Sequence, residues 1–265
     1  MPYAKLPTGI EIYFERIGTG YPIILIMGTG LDHSCWDNQI VEYMKHFECI
    51  FFDNRSTGKT RAPESPLSSK LMAEDTAAFM DIIGIQSAHI SGLSLGSTIA
   101  QELAIMRPDL VKTLQLHGTW AKAYGYVERK FKSQIRLLKE LDLREFYEIN
   151  SLWFMTPNYM NLYPEKVSSQ IESIIKSAPS RHMLIEQYKA DLNHYALDRL
   201  GKINVPTLVT VGSFDLAAPP MYAEEVAEAI PNSKLVIFSE GGHFHNIENP
   251  EEFNKVTLDF LDRYT

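Results

Sequence analysis

Cysteine is nearly absent from this chain, whose 265 residues include only Cys35 and Cys49. Two thiols in separate elements cannot build the disulfide framework of a small secreted domain, so both are expected to be reduced and partly buried. Excess positive charge is missing as well. With 25 Lys and Arg against 33 Asp and Glu, and a formal net charge of −8, the chain has no bulk attraction to nucleic acid or to an anionic membrane surface. Long apolar runs are the third absence. The longest near the start, Ile23 to Met27, is too short to cross a bilayer or to form a signal-peptide core, and Met1 to Thr8 carries no charged n-region. These absences predict a cytoplasmic protein with no nucleic-acid or membrane partner. No internal repeat or low-complexity tract interrupts the chain, which is long enough for one large α/β domain with an inserted subdomain.

What the chain does contain is an alternation of strand-like and helix-like segments. Glu11 to Ile17 alternates polar and apolar residues, as a half-exposed edge strand does, whereas Ile23 to Met27 is the continuous apolar run of a central parallel strand. Trp36 to Met44 has helical spacing and Cys49 to Phe52 reads as a second buried strand. Leu71 to Ile83 places Met72, Thr76, Phe79 and Ile83 largely on one helical face, and Gly84 ends it. Ala88 to Ser91 is strand-like, Leu95 to Met106 is helical up to Pro108, and Val111 to Leu116 is a further strand. From about Trp120 to Leu200 the strand signal gives way to amphipathic helical patterns rich in aromatics, among them Trp120, Trp153 and Phe154. Strand and helix then alternate again: Thr207 to Val211, Pro220 to Ile230, Leu235 to Phe238, Pro250 to Tyr264. This order predicts an α/β fold with a mostly parallel central sheet covered by helices on both faces. Residues 1–119 and 201–265 form the core, and 120–200 an inserted helical cap. Within the cap, Arg129, Lys130, Lys132, Arg136 and Lys139 read as a solvated helix face.

Ser94 occupies the centre of Gly92-Leu93-Ser94-Leu95-Gly96, after a strand and before a helix. A serine hydroxyl attacks only when a base removes its proton, and a sharp strand-to-helix turn leaves the oxygen reachable by both base and substrate. Glycine at 92 and 96 relieves the crowding of such a turn. Chance alone supplies this pentapeptide about one time in ten in a chain of this length, so its context carries the weight. Asp215, in Gly212-Ser213-Phe214-Asp215, and His243, in Gly241-Gly242-His243, each follow a strand and point to the same sheet edge as Ser94. His243 would take the serine proton while Asp215 fixes the imidazole tautomer. Alternatives stay open: Ser94 as a helix N-cap, Asp53 as the third group, His245 in place of His243, or His243 and His245 as a metal pair. The last lacks a supporting Cys or carboxylate cluster at ligand spacing, so neither metal nor cofactor is expected.

The order Ser, Asp, His, the G-x-S-x-G turn and the strand pattern resemble the α/β-hydrolase family over nearly the whole chain. Asp53-Asn54-Arg55-Ser56-Thr57-Gly58 is similar to the family's Asp-x-Arg-Gly-x-Gly loop, and His243 to Pro250 is similar to its terminal His segment. The resemblance implies a serine nucleophile with backbone donors for the developing oxyanion: Leu95 after the nucleophile and Thr29 in Met27-Gly28-Thr29-Gly30. Here Met27 stands where the family usually has His, which leaves the choice between Thr29 and Gly30 open. Gly28, Gly30, Trp120, Trp153 and Phe154 are expected to contact substrate, as is His117 where it faces the cleft rather than the core. The implied reaction is cofactor-free hydrolysis of a carboxylic ester or lactone through an acyl-serine. The expected partner is a largely apolar or aromatic small molecule, and the protein a monomer or homodimer. Cleavage of a C–C bond in a β-diketone-like substrate, or slow ligand reception on the same fold, are the alternatives.

Overall fold

Residues 3–264 are described in the computed structural model. Strand β1 (Tyr3–Lys5) pairs antiparallel with β2 (Glu11–Ile17), followed by β3 (Tyr21–Ile26), α1 (Asp37–Tyr43) and β4 (Phe47–Phe52). Helix α2 (Ser69–Ile82), β5 (Ala88–Leu93), α3 (Leu95–Met106) and β6 (Val111–His117) come next. Five helices then separate β6 from β7 (Thr207–Gly212): α4 (Gly125–Glu140), α5 (Leu143–Phe154), α6 (Pro157–Leu162), α7 (Pro164–Ser177) and α8 (Arg181–Asn193). After β7 come α9 (Pro220–Ala229), β8 (Ser233–Phe238), α10 (His245–Glu248) and α11 (Pro250–Leu261).

The eight strands form one sheet in the order β1-β2-β4-β3-β5-β6-β7-β8. Pairing is antiparallel between β1, β2 and β4 and parallel from β4 to β8. Chain order reverses at β3, since β4 lies on one side of it and β5 on the other. Loops leaving the carboxyl ends of β3 and β5 therefore diverge and open a crevice there, which is where α/β sheets bind ligands. The sequence places Glu11 to Ile17 at the sheet edge, but β1 covers its outer side. Three residues are too few to show a periodic pattern, so β1 was not legible.

Successive residues of β3 feed opposite faces, as the pleat requires. Ile24 and Ile26 join Phe79 of α2 and Ile99 of α3 in one core, while Ile23 and Leu25 join Trp36, Phe253 and Phe260 in the other. That second core continues through Leu93 and Trp120 into Phe131, Phe146 and Tyr188 of the five-helix insertion. Cys35 and Cys49 are both free thiols. Among the described residues no helix is long and apolar enough to cross a membrane.

Candidate active site

Ser94 stands between β5 and α3 with φ 57° and ψ −123°, a left-handed conformation that costs a non-glycine residue about 1–3 kcal/mol. Neighbouring backbone holds it there: Ser94 N donates to His117 O at 2.9 Å, and Ser97 N donates to Ser94 O at 2.8 Å. A Cβ at Gly92 would overlap the Gly96 carbonyl, and one at Gly96 would overlap the Ile26 carbonyl. The side chain makes no capping bond to α3, so the hydroxyl is not used as an N-cap.

Asp215 and His243 meet. Asp215 Oδ2 lies 2.7 Å from His243 Nδ1, and its Oδ1 accepts from Ala217 N at 2.8 Å and Ala218 N at 2.7 Å. Both side chains are buried. A carboxylate at Nδ1 favours the tautomer with its proton there, which makes Nε2 the acceptor. That Nε2 is buried and has no hydrogen-bond partner. The His117-Gly118 segment touches both sides of the site: its His117 carbonyl holds Ser94 N, and a methyl on Gly118 would lie 2.7 Å from His243 Cε1.

The competing assignments fall elsewhere. Asp53 accepts from His33 N at 3.0 Å and Lys59 N at 2.7 Å and lies 2.6 Å from His33 Nδ1, tying its own loop to the segment after β3. His245 bonds through Nε2 to Thr210 Oγ1 at 2.8 Å and through Nδ1 to His243 O at 3.1 Å. Burial pushes its pKa down to about 4. His117, expected to contact substrate, instead lies in the core, with Nδ1 on Thr210 Oγ1 at 2.7 Å and Nε2 on Ser91 Oγ at 3.0 Å. Burial holds its imidazole well below the usual range. The reason is strand parity: Ser91 and His117 face the Trp36 and Phe253 layer, beneath the site. Together these groups tie β5, β6 and β7 to the backbone of His243.

The loop after β3 is braced without the missing histidine. Asn54 Nδ2 donates to Met27 O at 2.7 Å, and Thr29 Oγ1 donates to Asp191 Oδ2 at 2.6 Å. Gly30 N donates to Gln187 Oε1 at 2.7 Å. With its amide given to Gln187, Gly30 is not free to receive a ligand oxygen. Gly28 packs so closely that a Cβ there would lie 2.9 Å from Ser94 Cβ. Across the turn, Leu95 opens α3, where the first amides have no intrahelical acceptor.

The site is closed, with Ser94 9% and His243 1% exposed. A cavity of about 30 Å³ lies against Thr29, Tyr147, Asn150 and Phe154, and a cleft of about 210 Å³ adjoins it at Leu31, Met155, Ile174 and Phe244. The Phe154 ring stands edge-on to His243, 5.0 Å between centroids. Trp120 is buried against Phe131 and donates Nε1–H to Asp191 O at 3.3 Å. Trp153 is half-buried and lines neither space.

Four side chains at the site escaped the sequence reading: Lys130, Tyr147, Gln187 and Asp191. Arg129, Lys132, Arg136 and Lys139 are exposed, as a solvated face requires, but Lys130 is buried. Its ammonium lies 4.0 Å from the Phe131 centroid and 5.7 Å from that of Phe154. Burial is the largest influence on both Lys130 and Asp191, lowering the first pKa and raising the second, while their mutual charge acts the other way. Helical arithmetic offered a signal. Lys130 is three residues from Val127 and four from Gln134, both inward-facing, and Asp191 follows Leu184, Gln187 and Tyr188 on one face.

A family model for the alpha/beta hydrolase fold matches residues 21–250, and the chain belongs to that family. It is similar to the protein named "Putative carbamate hydrolase RutD" of Azorhizobium caulinodans, 27% identical over 98% of each chain. The protein of the same name from Agrobacterium fabrum is 28% identical over 95% of this chain and 97% of its own. Among solved structures, the enol-lactonase from Burkholderia xenovorans LB400 superposes with a TM-score of 0.91 at 25% identity, covering 98% of this chain and 100% of that one. A thermophilic esterase from Thermogutta terrifontis gives 0.89 at 26% identity over 100% of both.

Proposed function

We propose that this protein is a serine hydrolase that cleaves a carboxylic ester or lactone through an acyl-Ser94 intermediate. The Asp215–His243 pair with its unpartnered Nε2, linked through the His117-Gly118 segment to a serine in a strained turn, carries this reading. His243 Nε2 takes the hydroxyl proton as Ser94 Oγ adds to the substrate carbonyl, and Asp215 stabilises the resulting imidazolium. The amides of Thr29 and Leu95 receive the oxyanion, and losing one such donor costs about 3 kcal/mol. Collapse expels the alkoxide, which leaves with the proton from His243. Water then repeats the sequence in reverse roles to free the acid. No cofactor enters any step.

A carbamate is the second reading. Two relatives matched over almost their whole length carry that name, and a carbamate offers the same nucleophile an sp² carbon with an oxygen leaving group. Turnover of aryl esters, lactones and aryl carbamates by the wild type and Ser94→Ala tests the proposal. Multiple turnover abolished in the variant is expected. Retained turnover overturns the nucleophile assignment, and a single slow turnover points to a receptor.

A further inference from the structure

His243 Nε2, Asp191 Oδ1 and Tyr147 OH are buried without a hydrogen-bond partner. His243 Nε2 is explained by the proposed reaction, but Asp191 Oδ1 and Tyr147 OH are not. Lys130 Nζ, on the same side of the insertion, makes no hydrogen bond and no ion pair within 4 Å among the described residues; its close neighbours are the Phe131 and Phe154 rings. A buried donor or acceptor left unsatisfied is costly and calls for a ligand or a role.

We propose that Lys130 and Asp191 form a substrate subsite for a neutral amide-type group, one that carries both a carbonyl acceptor and an N–H donor. This rests on the serine-hydrolase reading and names its substrate class. Asp191 Oδ2 is held by the Thr29 hydroxyl at 2.6 Å, which leaves Oδ1 as the free acceptor, fixed to the loop that flanks Ser94. The Lys130 ammonium lies 5.7 Å from the Phe154 centroid, and that ring lies 5.0 Å from His243. Phe154 thus neighbours both the Lys130 ammonium and the His243 ring, and Asp191 is tied to the loop that flanks Ser94.

Charge selects among occupants. Lys130 and Asp191 sum to zero, so a carboxylate would bring a new negative charge next to Asp191 and Asp215, both of which act on Lys130. An apolar group would leave the ammonium and Oδ1 stranded. A primary amide, ureido or carbamoyl group gives its carbonyl to Lys130 and its N–H to Asp191, and adds no charge. Sites built to hydrogen-bond such a group reject analogues lacking it far more strongly than apolar pockets reject a methylene.

The experiment compares kcat/KM for three aryl esters whose acyl chains end in a primary carboxamide, an isopropyl group or a carboxylate, with the plain aryl acetate alongside. The wild type is expected to prefer the carboxamide over both analogues by about 10²-fold or more. In Lys130→Met, and in Lys130→Met combined with Asp191→Asn, that ratio should collapse towards one. Ratios within each variant are insensitive to a general loss of stability, and if neither variant folds the wild-type preference decides. Acetate turnover without a carboxamide preference, a carboxylate preference, or unchanged ratios in the variants overturns the subsite while leaving the hydrolase reading intact. Absence of turnover on every ester overturns both.

Discussion

Gly118→Ala is the most economical way to disturb the Asp215–His243 pair without touching either residue. A methyl at 118 would lie 2.7 Å from His243 Cε1, 2.8 Å from Nδ1 and 3.3 Å from Asp215 Oδ2. None of these is the loose end of a flexible side chain, since the imidazole is pinned by its carboxylate, so the ring must move. Residue 118 also has φ +54°, which costs an alanine about 1–2 kcal/mol. Overpacking a filled interior adds about 1–3 kcal/mol. A total of about 2–5 kcal/mol lowers Tm by roughly 4–20 °C in a protein of this size. Displacing the base from its orienting group should lower kcat on an aryl acetate by about 10²–10⁴-fold. Gly84→Ala is the control, because φ there is +76° and an added methyl meets nothing within 4 Å. It carries backbone strain alone and should lose stability without losing kcat. If Gly118→Ala folds and keeps kcat within threefold of wild type, the pair at 215 and 243 does not drive the reaction.

Gln187→Leu strands Gly30 N and Thr57 Oγ1, which Gln187 now bonds at 2.7 and 2.8 Å. With about 1–3 kcal/mol for each buried orphan, the variant should melt well below wild type and lose kcat as the Thr29 loop loosens; unchanged kcat would show that the loop is held by other means. His33 supplies a pH dependence of stability. Burial, its largest single influence, pulls the imidazole pKa down, but the Asp53 hydrogen bond and the charges of Asp53, Asp32 and Glu15 together raise it. A raised folded pKa stabilises fully below the unfolded value of about 6.5 and fades as pH climbs through the folded one. Urea unfolding from pH 6 to 9 should therefore show a loss of stability in wild type that shrinks in His33→Asn, and equal slopes would contradict the assignment.

Much of this geometry was legible because it is written locally. The turn around Ser94 needs small residues within two positions, so the nucleophile's setting could be read from five letters, and the buried strands β3 and β5 announce themselves as short apolar runs. Chain order at the sheet then brought residues 94, 215 and 243 to one rim, and the contact of His243 with Asp215 needs no further information. The interior of the insertion was another matter. Lys130 sits among four exposed basic residues of α4, and charge clustering outweighed the i, i+4 spacing that turns it inward with Val127 and Gln134. Gln187 and Asp191 serve the β3 loop across more than 150 residues of sequence, and no local pattern encodes such a pairing. His117 is ambiguous for the opposite reason: a place at a strand end suits either the crevice or the core, and strand parity sends its ring into the core.

Peptide mapping by mass spectrometry after treatment with an alkyl aryl phosphonate tests the central claim most directly. A single adduct on Ser94 is predicted, resolved from Ser91 and Ser97 by fragment ions, forming at least about 10³-fold more slowly in His243→Ala. No adduct, an adduct on another residue, or a labelling rate indifferent to His243 would contradict the claim that this serine is activated by that histidine.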